Sequence, residues 1–328
     1  MRIKLFNIRE DERVFAEKWG EKHNHEIECT TNNLTLENVE QLENFDAIST
    51  QQLFKFDDRI YSELKKQGIK QIAGRAAGFD MFNIQEAEKN NITITNVPSY
   101  SPNAIAEFAV CRALELVRNI NKIEKRVVNQ DFTWDDQVIA KELRSMTVLV
   151  IGVGRIGKVS AKLFKGFGAN VIGYDPNDQS LSEIEYVQDL NTALSKADLI
   201  TLHVPANEDT LHIINEETIS NMKNGAYIVN TSRGITVDTK ALVSGLNTGK
   251  IHSAALDVYE NEFEYFSYDY TNKIIKDELL LDLMNRDDVL ISPHIAFYTT
   301  TAVQNMVEVA LDSAMEVIET GTSVNTVK

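Results

Sequence analysis

The sequence predicts an α/β protein of two doubly wound parallel-sheet units, and three observations carry that prediction. Short apolar, β-branched runs alternate with helical patterns nearly throughout the chain, the order that produces parallel sheets with right-handed crossovers. The runs are continuously apolar instead of alternating, as strands covered on both faces are. With 328 residues the chain also suits two domains of ordinary size, each able to bury a core.

In chain order, the first series of strands is IKLFNI (3–8), IECTT (27–31), AISTQQ (47–52), QIAGRA (71–76) and ITITNV (92–97). DDRIYSELKKQ (57–67) reads as a helix between two of them. AIAEFAVCRALELVRNINKIEKRVVNQ (104–130) follows as one long helical pattern without Gly or Pro. It suits a bridge, an oligomer contact or an ordinary surface helix equally well. The second series is TVLVIGVG (147–154), NVIGYD (170–175), LITLHV (199–204), AYIVNTS (226–232), HSAALDV (252–258) and VLISPH (289–294), with a helix at 238–250. ENEFEYFSYDYTNKIIKDELLLDL (260–283) is an acidic, aromatic insertion, read as a packed loop or lid edge. The last pattern, 299–321, is a helix closed by Gly321 with no strand after it, so it is expected to return to the first unit. All five prolines lie at or just past strand ends, the ends where open α/β sheets place ligands. The expected domains are 1–99 plus 299–328, and 100–298, with a cleft between them.

The bulk properties exclude several classes. Apolar and charged contents of 43% and 25% are those of a globular protein. A formal charge of −16 argues against nucleic acid, whose phosphates call for clustered Lys and Arg. Cys29 and Cys111, the only cysteines, offer no disulfide framework or thiolate metal site. The N-terminus lacks the apolar core of a signal peptide, and no run reaches membrane-spanning length. A reducing, cytoplasmic setting is expected, with no membrane partner.

The chemistry begins at VLVIGVGRIGK (148–158), which spaces Gly152, Gly154 and Gly157 as G-x-G-x-x-G. Alone the pattern is weak. Here it follows an apolar strand and opens a helix, the context of a Rossmann dinucleotide turn, with Arg155 and Ile156 contributing main-chain donors to a pyrophosphate. The next strand ends at Asp175, at about the 20-residue offset where a carboxylate receives the ribose hydroxyls. No Lys or Arg lies between Lys165 and Lys196 to welcome a 2′-phosphate. NAD is therefore the expected cofactor. Because such turns also serve methyltransferases and flavoproteins, the reaction must be read elsewhere.

Three later strand ends supply it. VNTSRGITVD (229–238) places Arg233 past a strand, where a guanidinium can fork a carboxylate. ALDVYENE (255–262) offers Asp257, Glu260 and Glu262, and SPHIAF offers His294. A lone histidine beside apolar residues is more often structural. A cation, carboxylates and an imidazole on the rim that carries the nucleotide turn reverse that judgement.

With these residues the chain resembles the D-specific 2-hydroxyacid dehydrogenases, and within them the bacterial D-lactate dehydrogenase branch. The resemblance runs through NIREDE, AGFD (77–80), NVPSYSPNAIAE (96–107), GVGRIG, LHVP (202–205), NTSRG, DVYENE and SPHIAFY. It implies flavodoxin-like and Rossmann-like domains, the first with the C-terminal helix binding substrate and the middle one binding NAD. It also implies reversible NADH-dependent reduction of pyruvate, or a close 2-oxo acid, to the D-2-hydroxy acid. His294 would be the acid/base, Glu262 would hydrogen-bond it and stabilise its charged form, and Arg233 would bind the substrate carboxylate. Ala77 and Gly78 match a loop cradling that carboxylate, and Tyr100, Phe297 and Tyr298 match positions near the substrate. Val204, Pro205, Thr210, Thr231, Ser232 and Asp257 match cofactor-contacting positions, Asp257 facing the carboxamide. A homodimer is the family expectation. Thr50 replaces an aromatic residue of some relatives, leaving open bulkier substrates such as 2-oxoisocaproate or phenylpyruvate. An NAD(H)-responsive regulatory protein is the more remote alternative. Of the other histidines, His203 is expected to shape the cofactor wall, His23 and His25 lack further ligands, and His212 and His252 have no candidate partner. No metal is expected.

Overall fold

A computed structural model describes residues 1–51, 55–177 and 180–327. Gln52, the last residue of the strand expected at 47–52, and Lys328, the last of the segment 299–328, lie outside them. The chain divides into two compact units, Met1–Ser101 with Tyr298–Lys328, and Pro102–Phe297.

The first unit holds β1 (Arg2–Phe6), β2 (Glu26–Cys29), β3 (Ala47–Thr50), β4 (Gln71–Gly74) and β5 (Thr93–Thr95). They form one parallel sheet in the order β2-β1-β3-β4-β5, the flavodoxin-like winding. Alternate strand residues enter opposite cores: Ile3 and Leu5 join one face, Phe6 the other. On the first of these faces lies the helix Thr300–Thr320, whose Val307, Ala310, Leu311 and Ala314 pack against Ile3, Leu5, Ala47 and Ala73. Gly321, in the left-handed region at φ 85°, ends that helix.

The second unit holds β6 (Thr147–Ile151), β7 (Asn170–Tyr174), β8 (Glu185–Tyr186), β9 (Leu199–Leu202), β10 (Ala226–Asn230), β11 (Ile251–Leu256) and β12 (Val289–Ile291). All are parallel, in the order β12-β11-β10-β9-β6-β7-β8. The winding reverses between β6 and β9, the switch point where such sheets bind ligands. Val148 and Val150 enter one core and Leu149 and Ile151 the other, so both faces are covered and the strand reads as an unbroken apolar run. The two-residue β8 was not legible in the sequence, since an edge pair reading Glu-Tyr leaves no apolar run.

The register sets the stage for the chemistry. Tyr174, Ile151, Leu202, Asn230, Leu256 and Ile291 pair successively across the sheet. They are the last residues of their strands, so six connections leave the sheet from one row.

The single helix expected over 104–130 is two helices, Pro102–Val117 and Ile120–Val128. Asn119 breaks it by adopting the left-handed conformation at φ 55°, and its side chain donates to the Ile139 carbonyl at 3.2 Å. Asparagine tolerates that region better than most residues, so a break needs neither Gly nor Pro. The first helix is no surface helix: Ala109, Val110, Ala113, Leu116 and Val117 sit in the core of the second unit.

Candidate active site

The glycine turn lies at the switch point, after β6. Gly152 takes φ +84°, and a Cβ there would stand 2.6 Å from the His203 carbonyl oxygen; only glycine allows this approach. Gly157 packs directly over the Gly152 carbonyl, closing the helix Arg155–Gly166 onto the strand. Space above Gly154 is open, and as N-cap it offers no side chain to the first turn of that helix. The helix N-terminus therefore faces an anion site with its dipole favourable. Asp175, just past β7, accepts from the Val153 N–H at 2.8 Å and the Asn177 N–H at 2.8 Å, which holds its carboxylate beside the turn.

The neighbouring connections behave differently from one another. Thr231 has a buried Oγ1 without a hydrogen-bond partner among the described residues, an orphan that a bound dinucleotide would satisfy. The Ser232 hydroxyl, by contrast, donates to Asn230 Oδ1 at 2.8 Å, and the Thr210 hydroxyl donates to the Pro205 carbonyl at 2.6 Å. Their side chains shape the loops that carry Val204, Pro205 and Arg233. Open space at Gly154, the bare helix N-terminus and the Thr231 orphan fit NAD.

Beyond β11 and β12 the second cluster forms. His294 Nδ1–H donates to Glu262 Oε1 at 2.8 Å, while Glu262 Oε2 accepts the Tyr259 N–H at 2.9 Å. Because a carboxylate only accepts, the Nδ1 proton is fixed. Nε2 is the ring atom with no partner among the described residues. His294 itself sits at φ +56°, an uncommon conformation for a histidine that costs about 1–3 kcal/mol and persists only where surroundings impose it. Its N–H donates to the carbonyls of Asp257 at 2.7 Å and Ser292 at 3.0 Å.

Asp257 does more of this than the sequence indicated. Its carboxylate accepts from Ser292 Oγ at 2.5 Å and from the N–H groups of Ile295 at 3.1 Å and Ala296 at 2.8 Å. Burial raises its pKa above the usual carboxylate range, against these bonds and the nearby His294, which lower it. Three internal donors hold it against the loop that aims His294, a role added to the expected one of facing the carboxamide. The pairing of an aspartate at one strand end with a Ser-Pro-His at the next was the signal available in the sequence.

Arg233 leaves β10 at the adjacent connection, its carbonyl accepting from Asn230 Nδ2 at 3.0 Å and Thr236 Oγ1 at 2.6 Å. The following Gly234 packs against the main chain of Tyr259 and Glu260. The Arg233 loop thus abuts the turn that carries Glu262, and Glu262 holds His294. In the first unit, Ala77 and Gly78 lie just beyond β4; Asn96 Nδ2 donates to the Ala77 carbonyl at 2.7 Å. The N–H groups of Ala77 and Gly78 donate to nothing among the described residues. Tyr100 accepts from Asn305 Nδ2 on its carbonyl at 2.6 Å, and Arg9 lies 5.4 Å from the Tyr298 ring centroid. Thr50, the last residue of β3, is buried. His212, expected to be without a partner, pairs with Glu260 at 2.7 Å. Among the described residues no cluster of His, Cys, Asp or Glu could hold a metal ion, and no helix is long and apolar enough to cross a membrane.

A family model described as "D-isomer specific 2-hydroxyacid dehydrogenase, NAD binding domain" matches residues 110–296. The chain belongs to that family. It is 45% identical to a D-lactate dehydrogenase of Staphylococcus epidermidis over 323 residues, 98% of each protein. A crystal structure of a D-lactate dehydrogenase from Treponema pallidum superposes with a TM-score of 0.92 at 41% identity, covering all of both chains. The structure of a D-2-hydroxyisocaproate dehydrogenase gives 0.93 at 36% identity, covering 100% of this chain and 99% of that one. The protein is accordingly an NAD-dependent D-2-hydroxyacid dehydrogenase acting on a small hydroxy or oxo acid.

Proposed function

We propose that this dehydrogenase interconverts pyruvate and D-lactate, with His294 as acid/base, Glu262 as its partner and Arg233 as the carboxylate anchor. The observation that carries the reading is the 2.8 Å bond from Nδ1 to Glu262, which leaves Nε2 as the single exchangeable ring position. In reduction the imidazolium gives its Nε2 proton to the carbonyl oxygen; in oxidation the neutral Nε2 removes it from the hydroxyl. Glu262 holds the ring in one orientation between those events. Arg233 fixes the substrate carboxylate by two parallel bonds and stabilises charge on the developing alkoxide. Bound NAD supplies hydride transfer. Asp175 and the main-chain donors of Arg155, Ile156 and Gly157 would hold ribose and pyrophosphate, and Thr231 Oγ1 would bond the same cofactor. For the first unit, the N–H groups of Ala77 and Gly78 are the substrate-carboxylate candidates, with Tyr100 and Tyr298; Phe297 is the candidate from the second. The names of the relatives from S. epidermidis and T. pallidum support pyruvate as substrate.

A second reading, a preference for bulkier 2-oxo acids, is favoured by the likeness to the D-2-hydroxyisocaproate dehydrogenase. Steady-state NADH oxidation across pyruvate, 2-oxoisocaproate and phenylpyruvate, with chiral analysis of product, decides between them. Pyruvate is expected to give the highest kcat/KM and a D product; about tenfold preference for phenylpyruvate, the order one pocket contact confers, would replace the first reading with the second.

The working form is a cytoplasmic homodimer in this reading. Ile120, Ile123, Val127, Val128, Phe132 and Trp134 expose apolar side chains along and beyond one short helix, Trp134 at 89%, a patch that a second copy of the chain would cover. Sedimentation of Val128→Lys against the parent tests it: a monomer is expected from the variant alone.

A further inference from the structure

Two carboxylates of one turn each hold a histidine. Glu262 bonds His294, and two residues earlier Glu260 Oε1 accepts from His212 Nε2–H at 2.7 Å. Glu260 Oε2 also accepts the Thr239 N–H at 2.8 Å, at the start of the helix Thr239–Asn247. His212 is fixed from its backbone as well. Its N–H donates to the Ile235 carbonyl at 2.9 Å, and its carbonyl accepts from Asn215 Nδ2 at 2.9 Å. Next to it, the Ile214 N–H donates to Thr236 O at 3.1 Å and the Asp238 N–H to Ile214 O at 2.8 Å. His212 takes φ +47°, a second histidine in the left-handed region, held there by bonds on every side.

We propose that His212 and Glu260 are positioning residues that clamp the connections following β9, β10 and β11, and so fix Arg233 relative to Glu262 and His294. Neither touches substrate. The inference rests on the roles given above to Arg233 and His294. Magnitude separates it from a plain stabilising contact. The His212 and Glu260 side chains are 38% and 25% exposed, and such pairs contribute little to stability. Small displacements of a substrate anchor, however, are costly in rate. Losing the clamp should therefore alter kinetics far more than melting temperature.

The test uses steady-state kinetics of the full chain with NADH and the best 2-oxo acid of the panel, for His212→Ala, Glu260→Ala, the double variant and His212→Gln. Each alanine variant should raise KM for the oxo acid about tenfold, with Tm moving by no more than about 2 °C. The double variant should be no worse than Glu260→Ala alone, since that substitution already removes the His212 contact. Glutamine, whose amide N–H can replace Nε2–H, should restore KM to within about twofold of the parent. Unchanged KM in both alanine variants, additive effects in the double variant, or no rescue by glutamine each overturns the clamp. Arg233→Lys in the same assay separates the premises: if it leaves KM unaltered, the anchor assignment falls, whatever His212 does.

Discussion

Glu12–Arg75 in the first unit and Glu262–His294 in the second are both carboxylate pairs beyond strand ends, and they are built in opposite ways. Arg75 and Glu12 are fully buried. Arg75 donates to Glu12 at 3.1 Å, to Ser49 Oγ at 3.2 Å, and to the carbonyls of Phe6 and Asn7 at 2.9 and 3.1 Å, while the other Glu12 oxygen accepts the Arg9 N–H at 3.0 Å. Each nitrogen of the guanidinium is committed. Glu262 is likewise buried and saturated, but the His294 side chain is 35% exposed and commits one nitrogen of two. A buried pair is tolerated only when every polar atom has a partner; a reactive group needs one that does not. Saturation marks the first pair as architecture, and the uncommitted Nε2 is what the acid/base role proposed for the second requires.

The comparison can be broken most directly at His294. His294→Gln should lower kcat by about 10²- to 10⁴-fold, the range of general acid–base catalysis, with NADH affinity and Tm nearly unchanged. Parallel losses of turnover and NADH binding would return His294 to a structural role. Arg75→Met should do the converse, destabilising the fold by about 3–5 kcal/mol because Glu12 is left buried and unpaired. Denaturant unfolding measures it, and a loss under about 1 kcal/mol, the worth of an exposed pair, would erase the distinction.

A smaller effect is expected at Asp175, whose replacement by Ala should relax discrimination against NADP by about tenfold, as loss of one specificity contact does. Comparison of kcat/KM for NADH and NADPH checks it. His203 sharpens the contrast on the pH axis. Its Nε2 bonds Thr201 Oγ1 at 3.0 Å, its Nδ1 is buried without a partner among the described residues, and burial pushes its pKa down to about 3. The unfolded chain, with an imidazole near 6.5, therefore binds the proton first. Stability is intact above that value and falls as pH drops from about 6.5 towards 3, by at most about 1.4 kcal/mol per unit. His203→Asn should flatten this acid limb in denaturant titrations between pH 7 and 5, and an unchanged limb would mean that His203 charges freely.

Legibility differed between strand interiors and strand ends for a physical reason. Eleven of the twelve strands among the described residues were readable, because sheets covered on both faces demand continuous apolar runs. Strand ends were not. The runs expected at 147–154, 226–232 and 289–294 stop at Ile151, Asn230 and Ile291, since the polar positions that follow serve the loops. Asn119 hid a helix break inside an intact apolar pattern. His212 showed no partner because Glu260 lies 48 positions away.

By itself the sequence determined the two-sheet class, the nucleotide turn with its acidic companion, and the residue types for holding a carboxylate and moving a proton. These are local properties, written in periodicity, glycine spacing and side-chain chemistry. The tertiary structure decided which atoms are committed: Asp257 to the loop of His294, Glu260 to His212, the Thr210 and Ser232 hydroxyls to their own turns, and Nε2 of His294 to none of them. Hydrogen bonds saturate over about 3 Å, and only the folded register, which brings six strand ends into one row, determines which groups come that close.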